Sequence, residues 1–297
     1  MNSCQGKLFI CGATGHTGSA TVSYLYQNFP NICIVAGVRD VKKAKDEFPN
    51  IQRNLEFALV DNNLTGNLRA VNDLARSMQG CDAVLVVPPV EGRVEISKAY
   101  VDAAKMAGVK FICLISAAVI GKRDTILFAR QFMEIENHIK MTGICHAFLR
   151  CPSFLENLLG DAQSVKKDKT FCHPVNPDAR FDPVAVSDVG AMAATVMVNS
   201  LKKPGMTSAS TTTTTGKGMG MGMQQQPQSS TMAQKMTTMQ TMPESKTEMI
   251  YYLTGPKCVS MTDIAGMYSK ARTTPGLFVC LLELVLTKST TTPPPPL

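Results

Sequence analysis

Three glycines near the start of the chain carry the clearest chemical signal. In Leu8-Phe9-Ile10-Cys11-Gly12-Ala13-Thr14-Gly15-His16-Thr17-Gly18 an apolar run ends at Gly12 and a helix-compatible stretch begins near Gly15. Glycines at every third position of a strand-to-helix turn suit a pyrophosphate. Gly12 lets the chain turn tightly, Gly15 lets the backbone approach the anion, and Gly18 lets the helix lie close against the strand. The N–H groups of the first helical turn then face the phosphates. This turn is assigned to cofactor binding, with Thr14, His16 and Thr17 between its glycines; His16 meets either a phosphate or only solvent. No Lys follows the last glycine, which excludes a mononucleotide P-loop.

A second apolar run ends in Val35-Ala36-Gly37-Val38-Arg39-Asp40, about 20 residues beyond the glycines. An acid at this place binds the ribose 2′-hydroxyl of NAD, and an Arg suits the 2′-phosphate of NADP. Arg39, with Lys42 and Lys43 on the following turn, points to NADP(H) over NAD(H). Asp40 stays open as the acid of an NAD site. Asp61 and Asn62 follow a third run, and Pro88 follows a fourth. All three fall where parallel strands present their carboxyl ends to a ligand. Asp61 either meets adenine or serves as a turn residue or cap. His16, His138, His146 and His173 show no metal-ligand spacing and the cysteines form no CxxC pair, so no metal is expected.

These residues need a scaffold that brings strand ends together. Short β-rich runs at 7–11, 32–37, 55–59, 83–87, 111–116 and 146–150 alternate with helical spacing at 18–28, 41–48, 67–78, 94–107 and 127–142. Strand and helix in alternation predict an α/β fold, a Rossmann-like doubly wound parallel sheet. Continuous apolar runs such as AVLVV and FICLI fit strands covered on both faces. The cofactor domain is placed at 1–150. A small C-terminal substrate lobe is placed at 151–205 and 250–272, with a helix after Pro152 to Gly160 and another capped by Ser187 or Asp188. A strand over 250–253 and a helix over 261–271 complete it. Between the two parts of the lobe, residues 206–249 hold half of the chain's 18 methionines, a Thr run and no aromatic. Such a segment reads as a disordered low-complexity insertion. Residues 273–297 form an atypical tail ending in TTTPPPPL.

Composition narrows the classes further. With 44% apolar and 18% charged residues the chain is long enough and apolar enough for a sizeable core. The net charge of +7 is spread along the sequence rather than gathered in a stripe, so no nucleic-acid partner is expected. The longest apolar run, at 277–286, is too short for a bilayer, and no membrane association is expected. The start of the chain has no secretory apolar region. Cys11, Cys33, Cys113 and Cys145 lie within apolar runs as small hydrophobes, which predicts free thiols and a reduced, cytoplasmic setting.

The chain resembles the NmrA-like family, a branch of the atypical short-chain dehydrogenases. The matching pieces, in family order, are GATGHTG, AGVRD, YVDAAKMAGVKFICLISAA, MEIENHIKMTGICHAFLRCPSFLENLL, FDPVAVSDVGAMAA and YYLTGPKCVSMTDIA. The resemblance implies a Rossmann-like domain with a small substrate region. Family members include NAD(P)H:quinone reductases, plant reductases of phenolic alkenes and ethers, and silent regulators that sense NADP(H).

The resemblance also says where catalysis should sit. The general Tyr-x-x-x-Lys pair is absent, because none of Tyr24, Tyr26, Tyr100, Tyr251, Tyr252 or Tyr268 has Lys four residues on. Several family enzymes use one Lys or His in the helix after the fifth strand, four residues before an acidic or basic residue. Here Glu136 takes the later position and Phe132 the earlier one. Phe128, Phe132, Ile135 and Ile139 read as a core stripe at helical spacing. Ser116, at the end of the fifth strand, remains as the hydroxyl that polarises a substrate, or else bonds backbone. Phe132, Phe154 and Asn157 match positions that line the substrate pocket. The expected activity is NADPH-dependent reduction of a quinone or similar small electrophile. The alternative is a non-catalytic NADP(H) sensor that binds a regulatory protein partner.

Overall fold

The computed structural model describes residues 4–51, 53–60, 64–121, 125–173, 176–202 and 248–273. Asp61, Asn62, the tail from 274 onward and the expected insertion as far as 247 lie outside these residues.

The first half alternates as the sequence predicts: β1 (Gly6–Ile10), α1 (His16–Asn28), β2 (Ile32–Val38), α2 (Val41–Glu47), β3 (Leu55–Leu59), α3 (Leu68–Ser77), β4 (Ala83–Val86), α4 (Arg93–Met106), β5 (Phe111–Ala117), α5 (Leu127–Thr142) and β6 (Cys145–Cys151). A 3₁₀ turn at Leu155–Asp161 leads to α6 (Ala162–Lys167), β7 (Arg180–Phe181) and α7 (Val186–Leu201). After the gap come β8 (Glu248–Tyr252), β9 (Val259–Ser260) and α8 (Met261–Thr273).

Seven strands form one parallel sheet in the order β3-β2-β1-β4-β5-β6-β8. Every residue of β4 and β5 is buried, as expected of strands covered on both faces. One core, with Leu8, Leu25, Ile34, Leu85, Ile115 and Met197, lies under α1 and α7. The other, with Phe9, Val84, Val101, Leu114, Ile135 and Phe148, lies under α3, α4 and α5.

Four features depart from the sequence reading. First, β8 joins the main sheet and α7 packs on its core beside α1, rather than both forming a separate lobe. Strand β8 pairs with β6, and α7 packs so closely on α1 that a Cβ on Gly190 would come within 2.7 Å of Ala20. Glu248 and Met249, counted in the expected insertion, are strand residues. The small lobe reduces to the 3₁₀ turn, α6, α8 and the antiparallel pair β7–β9. Second, the segment after Pro152 is a 3₁₀ turn that becomes α-helical only at Ala162. Third, α7 starts after Ala185 without a local side-chain cap; Glu156 instead accepts from Val186 N with both carboxylate oxygens, at 2.9 and 3.0 Å. Fourth, Cys33 is not a buried thiol. It sits half-exposed near the start of β2 and is disulfide-bonded to Cys4, with Cα atoms 5.8 Å apart. The chain just before β1 runs beside β2 there, held by Gln5 N donating to Asn31 O at 2.9 Å. The pairing departs from the all-thiol expectation, whereas Cys11, Cys113 and Cys145 are free and buried.

Candidate cofactor and substrate site

The glycine turn leaves the carboxyl end of β1, which lies between β2 and β4 where the strand order reverses direction. Backbone bonds pin it to both neighbours: Cys11 N donates to Leu85 O at 3.0 Å and Ala13 N to Gly37 O at 3.2 Å. Gly12 has φ +60°, a conformation that favours glycine. Its carbonyl accepts from Gly15 N at 2.9 Å. A Cβ on Gly18 would overlap that same carbonyl, so only glycine lets α1 approach the turn. Gly15 caps α1 from an extended conformation and no side chain bonds the first helical N–H groups. They are the orphan donors that an anion satisfies. The residues present therefore fit a pyrophosphate. Thr14 is half-buried, Thr17 is buried in the first turn of α1, and His16 is exposed.

Arg39 follows β2 directly and is exposed. Asp40 caps α2: its Oδ1 accepts from Lys42 N at 2.8 Å and from Lys43 N at 3.1 Å. The carboxylate left open as an NAD-type acid is thus engaged in holding a helix start. Neither Arg39 nor Lys43 forms an ion pair among the described residues. Pro88 is half-buried in the loop from β4 to α4.

At the carboxyl ends of β5, β6 and β8, Ser116, Arg150 and Tyr252 are register partners. Glu136 on α5 closes over them and is 2% exposed. Ser116 Oγ donates to Glu136 Oε1 at 2.6 Å. Arg150 donates through Nε to Oε1 at 3.0 Å and through Nη2 to Oε2 at 2.6 Å. Its Nη1 donates to Tyr252 Oη at 2.6 Å. Burial pulls the Arg150 guanidinium down, but its hydrogen bonds and attraction to Glu136 outweigh that and hold it above its ordinary value. The Ser116 hydroxyl bonds a carboxylate, not backbone, and its single proton is committed there. It retains lone pairs only and cannot donate to a substrate carbonyl in this arrangement.

One turn earlier on α5, Phe132 is buried against Ala117 and Ile120. Its ring centroid lies 4.9 Å from that of Phe128, which is 43% exposed and therefore not part of the expected core stripe. The Arg93 guanidinium lies over both rings, 4.7 Å from the Phe128 centroid and 5.1 Å from that of Phe132. Phe154 packs against the other core, on the α1 and α7 side, and forms a bridge with Val184. Asn157 is exposed and bonds Ser153 Oγ at 3.4 Å. Phe132 thus packs on Ala117, the residue after Ser116, whereas Phe154 and Asn157 lie in the segment after β6, Phe154 on the α1 and α7 core and Asn157 on Ser153.

Sequence reasoning used Glu136 only as a landmark, met Tyr252 only in the search for a Tyr-x-x-x-Lys pair, and passed over Arg93 and Arg150. One signal was available: Arg150 is a charged residue inside the apolar run CHAFLRC, which demands a buried partner. Among the described residues there is no cluster of His, Cys, Asp and Glu suited to a metal ion. No helix among them is long and apolar enough to cross a membrane.

Comparison with known proteins follows the same lines. The family model described as the NmrA-like family matches residues 5–218. An NAD(P)H azoreductase from Xenophilus azovorans is 28% identical over 199 residues, covering 67% of this chain and 64% of its own length. The chain thus spans just under two thirds of that relative. An NADPH-dependent quinone oxidoreductase from Escherichia coli, solved with NADPH, aligns with a TM-score of 0.64 and 22% identity, over 90% of this chain and 75% of its own. A triphenylmethane reductase from Citrobacter sp., solved with NADP(H), gives a TM-score of 0.53 and 20% identity, over 64% and 65%. At these identities the solved structures establish the fold.

Proposed function

The chain belongs to the NmrA-like family, and from that premise we propose that it binds NADP(H) and reduces a quinone or similar small electrophile. The observation that carries this reading is the turn from Gly12 to Gly18, where α1 approaches too closely for a Cβ at Gly18 and leaves its first N–H groups without a side-chain cap. Gly12, Thr14, Gly15, His16, Thr17 and Gly18 hold the pyrophosphate. Arg39 and Lys43 meet the 2′-phosphate, with Arg39 offering a planar fork matched to its oxygens. Pro88 borders the cofactor crevice, and Asp61 and Asn62, outside the described residues, belong to the cofactor set on their place in the sequence. The azoreductase, quinone oxidoreductase and triphenylmethane reductase relatives support a reductase.

When bound, NADPH supplies a hydride, and the chain orients it against the acceptor. Ser116, with its proton held by Glu136, fixes the floor of the site rather than donating. Protons for the reduced product come from water. Phe132, Phe154 and Asn157 line the acceptor side. The small lobe of the 3₁₀ turn, α6, α8 and β7–β9 is the substrate region. A cytoplasmic setting belongs to the same proposal: the free, buried thiols of Cys11, Cys113 and Cys151 favour it, and the Cys4–Cys33 disulfide weighs against it.

A second reading is favoured by Phe132 standing where family enzymes use Lys or His, and by the committed Ser116 proton. It is a silent NADP(H) sensor that binds a regulatory protein. One experiment separates the two: NADPH oxidation by the purified protein over a quinone panel, with NADPH binding recorded in the same samples. Binding with turnover is expected. Binding without turnover would move the assignment to the sensor, and no binding would sink both.

A further inference from the structure

Among the described residues, Arg93 is a cation with neutral partners only. It opens α4, just past the loop that leaves β4. Its Nε donates to Pro89 O at 3.2 Å and its Nη1 to Gln131 Oε1 at 2.8 Å. Phe128 and Phe132 supply ring contacts to the guanidinium. These four contacts orient the group without neutralising it. Glu91 and Glu95, the carboxylates closest in sequence, are exposed and form no ion pair with it. Arg93 is half-buried, and the loss of water holds its guanidinium below its ordinary value. Nη2 has no protein acceptor among the described residues. A charge so held is stabilised by any oxyanion that reaches it, because guanidinium–oxyanion hydrogen bonds are the strong kind.

The place of this charge matters. Phe132, under the guanidinium, packs on Ala117 and Ile120 at the end of β5, and Ser116 is the residue before Ala117. The half-exposed Phe128 ring continues the apolar wall outward. A cation beside an aromatic wall recognises a flat aromatic body carrying an anionic substituent. We propose that Arg93 is a specificity-determining residue that selects aromatic electrophiles bearing a carboxylate or sulfonate over their neutral counterparts. This rests on the acceptor site proposed above. It goes beyond it by naming the charge of the acceptor and the side chain that reads it.

The test uses the full chain loaded with NADP⁺ and two probes of equal shape, a naphthoquinone sulfonate and the neutral naphthoquinone sulfonamide, titrated calorimetrically. The unaltered protein is expected to prefer the sulfonate by about tenfold, the scale of one charge-assisted hydrogen bond. Arg93→Gln is expected to bring the ratio to about one, and Arg93→Lys, which keeps the charge, to retain part of it. No preference in the unaltered protein, or an unaltered ratio in Arg93→Gln, would overturn the proposal. Equal weakening of both probes in both variants would mark a clamp between α4 and α5 and overturn it too. A parallel fall in NADP⁺ affinity would assign the charge to the cofactor instead. A preference that persists with no turnover of any acceptor would sink the reductase reading and leave this one standing.

Discussion

Ser116 on β5 and Glu136 on α5 are joined by a buried hydrogen bond of 2.6 Å, in which the hydroxyl donates and the carboxylate accepts. The same carboxylate takes both arms of the Arg150 fork. Removing the hydroxyl and removing the charge should therefore differ in cost. Ser116→Ala loses one bond and is expected to cost about 1–2 kcal/mol. Glu136→Gln strands a buried guanidinium and is expected to cost about 3–5 kcal/mol. Denaturant unfolding of both variants measures the difference, and equal losses would contradict the picture of a buried ion pair.

Gly18 and Gly12 allow a comparison inside one turn. A Cβ at Gly18 meets the Gly12 carbonyl, whereas one at Gly12 meets open space and only the strain of φ +60°. Gly18→Ala should push α1 off the turn and weaken NADPH binding at least tenfold, with a smaller loss for Gly12→Ala. Fluorescence titration with NADPH decides it; the reverse order would mean that close helix approach does not shape the site.

Arg39 is exposed and has no acidic partner among the described residues, so its charge is available there. Arg39→Gln is expected to lower the ratio of NADPH to NADH affinity by about tenfold or more, since one charged bond to a phosphate is lost. A ratio that does not move would return the cofactor choice to Asp40.

His146 gives a pH signature. Burial holds its imidazole below the ordinary 6.5, although its bond to Ile144 and the charge of Glu248 pull the other way. Nδ1 lies 2.7 Å from Ile144 O, and Nε2 is buried without a hydrogen-bond partner among the described residues. The unfolded chain binds this proton at a higher pH than the fold does. Stability from His146 is thus complete above about 6.5 and declines as pH falls toward the lowered folded value, by at most about 1.4 kcal/mol per unit. Unfolding curves between pH 7.5 and 5, values on the order of this window, should slope less in His146→Leu. An unchanged slope would remove His146 as the source.

Local pattern carried much of the fold. Helix α5 was legible to both ends from its apolar spacing, and β3 likewise, because each has its own periodic signal. Asp40 was singled out for its carboxylate, and only the backbone revealed that α2 uses it as a cap. Other relationships depend on pairing between distant segments. A short apolar run does not say which strand it will lie beside, so β8 was read as part of a lobe. The Glu156 contacts that start α7 span 30 residues. Ser116 was recognised as a strand-end hydroxyl, but its partner lies 20 residues on and the third member another 14 beyond that. Cys33 looked buried because its run is apolar; the strand face it occupies near its start is open to Cys4.

The pairing of β8 with β6 also bears on how the chain assembles. Arg150 and Tyr252 are 102 positions apart, the longest reach within the site. Closing so long a loop is slow, yet a twofold longer connection adds only about 0.6 kcal/mol. The outermost register is therefore expected to close last during folding. Until it does, β6 is a bare edge, with six of its seven residues of the kind that the finished fold buries. An open apolar edge invites pairing with another chain. Nascent or heat-stressed molecules should thus aggregate through this strand, and segments that stabilise β8 should raise the soluble yield.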